Sequence, residues 1–398
     1  MLIVSIGAAV VIWVSGRPGR IYAAGRQALA QNDLNGVRTA AARLGRYREW
    51  QAEAGLLHGA YQLRVGNPAG ALASLQPAAD SPRTERDAQL LVGEAHCRLH
   101  QYHAALPWLN ACIHHDAANV EAYRWLGIAY YDLGAMGYAL GALEKYAELA
   151  PDDYRPHRLM GVIHQDEEHY QEALADYESA LRLNPGPPDL PEIQLETARL
   201  QVKLHRYAAA RETLSAPDNN PEALVLRAEC DAADGQVEAA RRSVQEALRL
   251  APQHAEALAL KGTLELEQGS PEAALGPLQR ASQLVPDDLS LHFKLAQAYA
   301  QLGKTAEAEF HQGRRTEIKQ LREEFSSVFQ QVTQDADDVE SRFRLGVLAR
   351  RLQRTELARM WFEAALAINP DYAPARRALS DLPSPRTPSR STAALATP

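Results

Sequence analysis

Gly59, Gly93, Gly127 and Gly161 stand 34 residues apart, and Ala71, Ala105, Ala139 and Ala173 follow them at a constant interval of twelve. A fixed period of this length marks a solenoid of stacked helix pairs. One pair cannot bury its apolar side alone, so neighbours must shield one another along the chain. This spacing outweighs what 398 residues would otherwise suggest about the number of domains.

The unit from Glu121 to Pro151 shows how the repeat is made. Trp125, Leu126, Ala129, Tyr130 and Leu133 fall at helical spacing and predict a first amphipathic helix. Gly134 ends it, because glycine enters left-handed backbone angles without a Cβ penalty. Ala139, Leu140, Leu143 and Tyr146 give the inner face of a second helix, and Pro151 cannot continue it. Asp152 and Asp153, like Asp287 and Asp288 later, are read as caps for the helix that follows. Small residues such as Gly127 and Ala139 are expected where the two helices approach, with Tyr130 and Leu143 filling the space beside them.

These residues resemble the tetratricopeptide repeat (TPR) family: an aromatic, then Leu-Gly, then Tyr, a small residue in the second helix, an Ala and a closing Pro. The pattern returns at Met160-Gly161, Tyr170, Ala173, Tyr177, Ala180 and Asn184-Pro185. It recurs at Gly262, Gly269, Ala274, Ala281 and Pro286, and at Leu345-Gly346, Ala358, Phe362, Ala365 and Asn369-Pro370. Ala240 and Ala308 keep the register between them. The resemblance implies an all-α, right-handed superhelical solenoid of antiparallel helix pairs. About nine full repeats are expected, starting near 52, 86, 120, 154, 191, 221, 255, 289 and 339, with a capping helix at Pro374 to Leu379. A divergent pair over about 20–45 precedes them, so the solenoid is placed at 20–382.

Several positions depart from the pattern. Arg227 and Lys261 stand where the family has Leu, and their stems are expected to cover apolar surface while the charge reaches water. Asp231 and Glu265 replace the usual Tyr, and Pro277 is expected to kink its helix. An insertion lies within 186–191. The largest departure separates Ala308 from Ala358 by 50 residues. Between Arg314 and Gln334 there is no Gly or Pro, and Ile318, Leu321, Phe325, Val328 and Val332 follow a 3-4-3-4 spacing. This predicts a second helix lengthened over about 314–334. Its seam either packs on the next repeat or protrudes to dock a partner; in the second case deleting 318–334 would leave the solenoid folded.

Residues 1–16 carry no charge and are followed by Arg17 and Arg20. They suggest a membrane anchor, a cleaved signal segment or a buried capping helix. By analogy with anchored TPR proteins, the anchor reading places the chain at a bacterial inner membrane with the repeats outside the cytoplasm, although Arg17, Arg20 and Arg26 favour the opposite orientation. The tail, 383–398, is rich in Pro, Ser and Thr and is expected to be disordered.

The net charge of −8, with both signs mixed, disfavours nucleic acid as a main partner. The arginines at 342, 344, 350, 351, 354 and 359 are a local exception, read as a solvated face or an anionic-partner patch. Cys97, Cys112 and Cys230 form no framework. His96, His100 and His103, the pair His114-His115, and His164 with His169 invite a metal reading, but His96 sits at a packing position and no HExxH occurs. There is no nucleotide loop and no nucleophile motif. We therefore expect no cofactor, no metal and no catalysis.

The expected function is protein–protein interaction. A partner's peptide or helix would lie along a concave face lined by Glu94, Arg124, Tyr131, Arg158, Gln165, Phe293, Gln297, Phe343 and Arg350, because arginine and aromatic residues dominate interface energies. The family's set of Lys, Asn and Arg that holds a peptide's terminal carboxylate cannot be matched here. The alternative is an assembly or regulatory subunit of a membrane-associated enzyme complex, such as envelope polysaccharide or secretion machinery, docking through the lengthened helix or the convex side.

Overall fold

The computed structural model describes residues 17–183, 186, 189–214, 220–334 and 338–383. Residues 1–16 and 384–398, on which the anchor and tail expectations fall, lie outside them. Among the described residues every regular element is helical and none is a strand. None of these helices is long and apolar enough to cross a membrane.

The chain divides into two compact units at Ile193. The first holds α1 (17–30), α2 (Leu34–Leu44), a short 3-10 turn at Arg48–Trp50, α3 (Gln51–Arg64), α4 (Pro68–Ala79), α5 (Glu85–Arg98), α6 (Tyr102–His115), α7 (Val120–Asp132), α8 (Met136–Leu149), α9 (Arg155–Asp166) and α10 (Tyr170–Arg182). The division falls inside α11 (Asp189–Lys203). The second unit continues with α12 (Tyr207–Thr213), α13 (Pro221–Ala233), α14 (Val237–Leu250), α15 (Ala255–Glu267) and α16 (Pro271–Leu284). It closes with α17 (Leu289–Gln301), α18 (Thr305–Gln334), α19 (Val339–Arg351), α20 (Thr355–Ile368) and α21 (Ala373–Ser380). Within each unit consecutive helices pack in order, and first helices also touch one another, α3 on α5 on α7 and α13 on α15 on α17. The pairs from α3/α4 to α19/α20 are nine, and α21 follows them.

The hairpin turn explains the period better than glycine does. Each first helix is followed by a residue at positive φ: Asn32, Gly66, His100, Gly134 and Glu168, each 34 after the last, then His205, Gly235, Gly269, Gly303 and Gln353. The left-handed residue frees the chain to reverse into the second helix. Only half of these positions are glycine, so half of the turn signal is silent in the sequence. Asn32 places α1/α2 in the same register as the units after it.

The glycine at the middle of the first helix has a different purpose. A Cβ on Gly127 would lie 2.6 Å from Leu143 Cδ2, and one on Gly346 would meet the Phe362 ring at 2.4 Å. The glycine receives the large side chain sixteen residues on, while the alanine at twelve, Ala139 or Ala358, is fully buried beside it. The repeat alanines Ala71, Ala105, Ala173, Ala240, Ala274 and Ala308 are buried as well.

Two local expectations need correction, those for Asp287 and Arg227. Asp288 caps α17, accepting from the Ser290 and Leu291 amides, but its neighbour Asp287 does not cap. Asp153 does accept the first amide of α9, that of Arg155, at 3.0 Å, and it also takes the Tyr146 hydroxyl at 2.7 Å and the Arg155 guanidinium. Arg227 does not send its charge to water: its Nε donates to the Leu214 carbonyl at 3.0 Å. Where Asp231 and Glu265 replace tyrosine, an arginine of the preceding second helix pairs with each, Arg211 at 3.4 Å and Arg241 at 3.0 Å. α16 runs through Pro277 as one element, as α4 runs through Pro77 and α6 through Pro107.

The lengthened second helix is α18, of 30 residues. Its seam does not protrude. Ile318, Leu321, Val328 and Val332 are buried against Leu345, Leu348 and Leu352 of the next pair. Deleting 318–334 would therefore strip α19 of its apolar cover and not leave the stack folded.

Candidate functional site

The first-helix face of unit 1 is built mostly of side chains engaged within the stack, several of them with the next repeat. Tyr131 donates its hydroxyl to Asp166 at 2.5 Å, one repeat on. Burial, and then that hydrogen bond, pushes the Tyr131 phenol above its usual range. Arg158 pairs with Asp189 at 2.8 Å and Glu192 at 2.6 Å, and Tyr154 donates to the same Asp189. Arg124, 8% exposed, lies 5.0 Å from the Trp125 ring centre and pairs with Glu121 at 3.0 Å. Arg98 stacks on the same indole at 5.6 Å and holds Glu94 at 2.8 Å. Gln165 is the exception on this face, with its Oε1 buried and unpartnered among the described residues. Glu94, Arg124, Tyr131 and Arg158 thus all occupy first helices, and all are engaged within the stack.

The corresponding face of unit 2 is different. Phe293 on α17 is 52% exposed, with the Arg315 guanidinium 5.2 Å from its ring centre. Gln297, one turn along, is exposed, as is Arg350 on α19. Phe343 is half-buried, its ring 5.7 Å from Phe362 and 5.6 Å from Tyr372, so it belongs largely to the packing of α21. Sequence reasoning missed two members of this face. Glu229 on α13 and Lys294 on α17 are half-buried, and among the described residues no hydrogen bond or ion pair holds either of them, although each feels the other's charge. Burial, reinforced by Glu256, raises the Glu229 carboxyl, and burial lowers the Lys294 ammonium. The signal available was position: Lys294 adjoins Phe293, and Glu229 lies on the same helical row as Gln297.

The arginines of the C-terminal repeat are mostly engaged within the chain. Arg344 pairs with Glu324, Arg351 with Glu317, Arg354 with Asp287 and Arg359 with Glu356, and Arg342 donates to the Asp338 carbonyl. Among the described residues no group of three or more His, Cys, Asp or Glu is placed to hold a metal ion. His96 contacts Gln101 at 2.8 Å and His164 contacts Asp176 at 2.7 Å. The three cysteines are free and buried, and burial raises each thiol.

Residues 158–223, 227–288 and 322–373 match the tetratricopeptide repeat family. No curated protein matches the chain. Solved structures similar to it include YrrB, described as a TPR protein with an unusual peptide-binding site, at 22% identity and a TM-score of 0.39, covering 46% of this chain and 95% of that one. PilF of Pseudomonas aeruginosa is 17% identical with a TM-score of 0.42, over 52% of this chain and 94% of PilF. A tetratricopeptide repeat protein of Parabacteroides merdae is 16% identical with a TM-score of 0.42, over 62% and 98% of the two chains. The helix pairs covered by the three matched stretches are similar to tetratricopeptide repeats.

Proposed function

We propose that the chain is a non-enzymatic interaction protein that binds a segment of a partner protein along the first-helix face of unit 2. Stacked helix repeats present extended surfaces to macromolecules, and tetratricopeptide repeats in general mediate protein–protein contact. The observation that carries the assignment to unit 2 is Phe293, a large exposed ring on a first helix. Gln297 continues its face, and the half-buried Lys294 lies beside it. An aromatic that keeps its apolar area in water, next to a half-buried charge with no direct ion-pair contact among the described residues, is an arrangement that gains when a second chain covers it.

A photo-crosslinking amino acid at position 293 of the full-length protein tests this in cells. The expected result is a discrete protein adduct that is absent when the same group stands at Tyr138, a more exposed second-helix position. Phe293→Ala should weaken the captured complex at least about tenfold, equivalent to about 1.4 kcal/mol. Adducts of equal yield at both positions, or unchanged affinity, would sink the reading.

A further inference from the structure

The lengthened α18 carries two stripes that share the half-buried Phe325; the stack covers the first and leaves the second partly exposed. The seam from Ile318 to Val332 is sealed by α19. The second stripe, Arg322, Phe325, Ser326 and Phe329, follows the i, i+3, i+4, i+7 rule for one helix face. It forms one wall of a cavity of about 380 Å³. Leu352 and Arg354, from the turn between α19 and α20, and Leu357, in the first turn of α20, form the other. Phe329 is 44% exposed, and its ring meets Trp361 edge-on at 5.9 Å, as Phe325 does at 6.5 Å. The floor is apolar and its aromatic side chains are braced.

The lip has an unbalanced charge. Arg322 and Arg354 both reach Oδ2 of Asp287, at 3.1 and 2.7 Å, and that residue is 4% exposed. One carboxylate neutralises one guanidinium, so the pair leaves one positive charge at the mouth of the cavity. Of the carboxylates on the flanking elements, Glu323 is held by Lys319, Glu324 by Arg344, Glu317 by Arg314 and Arg351, and Glu356 by Arg359, while Asp288 accepts the first amides of α17. An apolar floor under a cationic lip is complementary to a side-chain pair of opposite design. One uncompensated charge is far fewer than the several phosphate contacts on which nucleic-acid affinity rests.

We propose that this cavity is a second docking site, for a short acidic-apolar segment of another protein. The segment sets one large apolar side chain between Phe329 and Leu357 and a carboxylate beside the Arg322 and Arg354 guanidinium groups. The site arises from the helix insertion, so it stands whether or not the first-helix face of unit 2 binds a partner.

The test uses the full chain and a displayed library of random twelve-residue peptides. The expected enriched peptides place Asp or Glu within four positions of Leu, Phe or Trp. Their affinity, measured by fluorescence anisotropy on synthetic copies, should fall at least tenfold in Phe329→Ser and stay unchanged in Phe293→Ala. Replacing the acidic residue by Lys should abolish binding. A melting curve checks that Phe329→Ser remains folded. The proposal is overturned if no Phe329-dependent peptide is enriched, if the enriched peptides are basic, or if sedimentation shows that Phe329 instead holds two copies of the chain together.

Discussion

The regular repeats α5 to α10 and the irregular stretch α17 to α20 solve the same problem with different side chains. In the regular repeats, first-helix residues reach across to the following repeat: Tyr131 to Asp166, Tyr154 and Arg158 to Asp189, Arg158 to Glu192. In the irregular stretch the lengthened second helix takes over. Arg322 of α18 holds Asp287 beside Arg354, Glu324 and Glu317 of α18 hold Arg344 and Arg351 of α19, and the apolar seam is buried on α19. The difference teaches that a first-helix face is free for a partner where something else joins the repeats. Phe293 and Gln297 are exposed beside the helix that does that work.

The largest test of this division is Ile318→Ala. Ile318 is fully buried in the α18–α19 cluster, so truncation should cost about 2–5 kcal/mol, read as a lower denaturant midpoint. A cost below about 0.5 kcal/mol would mean that α18 is not what holds the irregular stretch together, and the comparison would fail at its centre.

Gly127→Leu probes the regular side. The added side chain would occupy the space of Leu143, whose Cδ2 lies 2.6 Å from the position of a new Cβ. Overpacking of this kind costs about 1–3 kcal/mol. An unchanged melting temperature would show that the two helices do not meet in this register.

Arg158→Ala and Phe293→Ala sharpen the contrast between the two faces directly. Arg158 holds two carboxylates from a half-buried position, and its loss should destabilise the chain by about 1 kcal/mol after allowance for partial exposure. Phe293→Ala, at an exposed site, should change stability by less than about 0.5 kcal/mol while weakening partner capture. Equal effects on stability would remove the distinction between an engaged face and a free one.

What the sequence made legible follows from where the information is local. Gly127 and Ala139 mark the repeat because helix packing demands small residues at fixed intervals, and the seam from Ile318 to Val332 is visible because its period is helical. The partner of that seam was not legible, since the same spacing suits a protruding coil and a packed one. The groove residues were found by position, but position does not say what a side chain bonds to. Arg158 is engaged by residues 31 and 34 further on, and Phe343 is shielded by Tyr372, whose helix begins only after Pro370. Asp287 and Asp288 are adjacent and chemically identical, yet one caps a helix and the other gathers two arginines from the following pairs.

The smallest test concerns the turns, where the sequence is half silent. Glu168 sits at φ +61, the position that Gly134 occupies one repeat earlier at φ +74. A side chain there crowds the following carbonyl, at a cost of about 1–2 kcal/mol that glycine avoids. Glycine gives back part of this through the greater freedom of its unfolded chain, about 0.4–1 kcal/mol. The net expectation for Glu168→Gly is a gain of about 0.5 kcal/mol, read as a small rise in the denaturant midpoint with no change in slope. Asp234→Gly, adjacent to Gly235 and outside the left-handed position, should show no such gain, because its residue already takes ordinary angles at φ −88. A loss of stability in Glu168→Gly would show that Glu168 contributes more to its turn than its backbone angle costs. The regular repeats would then depend on specific turn side chains as much as on their first-helix bonds.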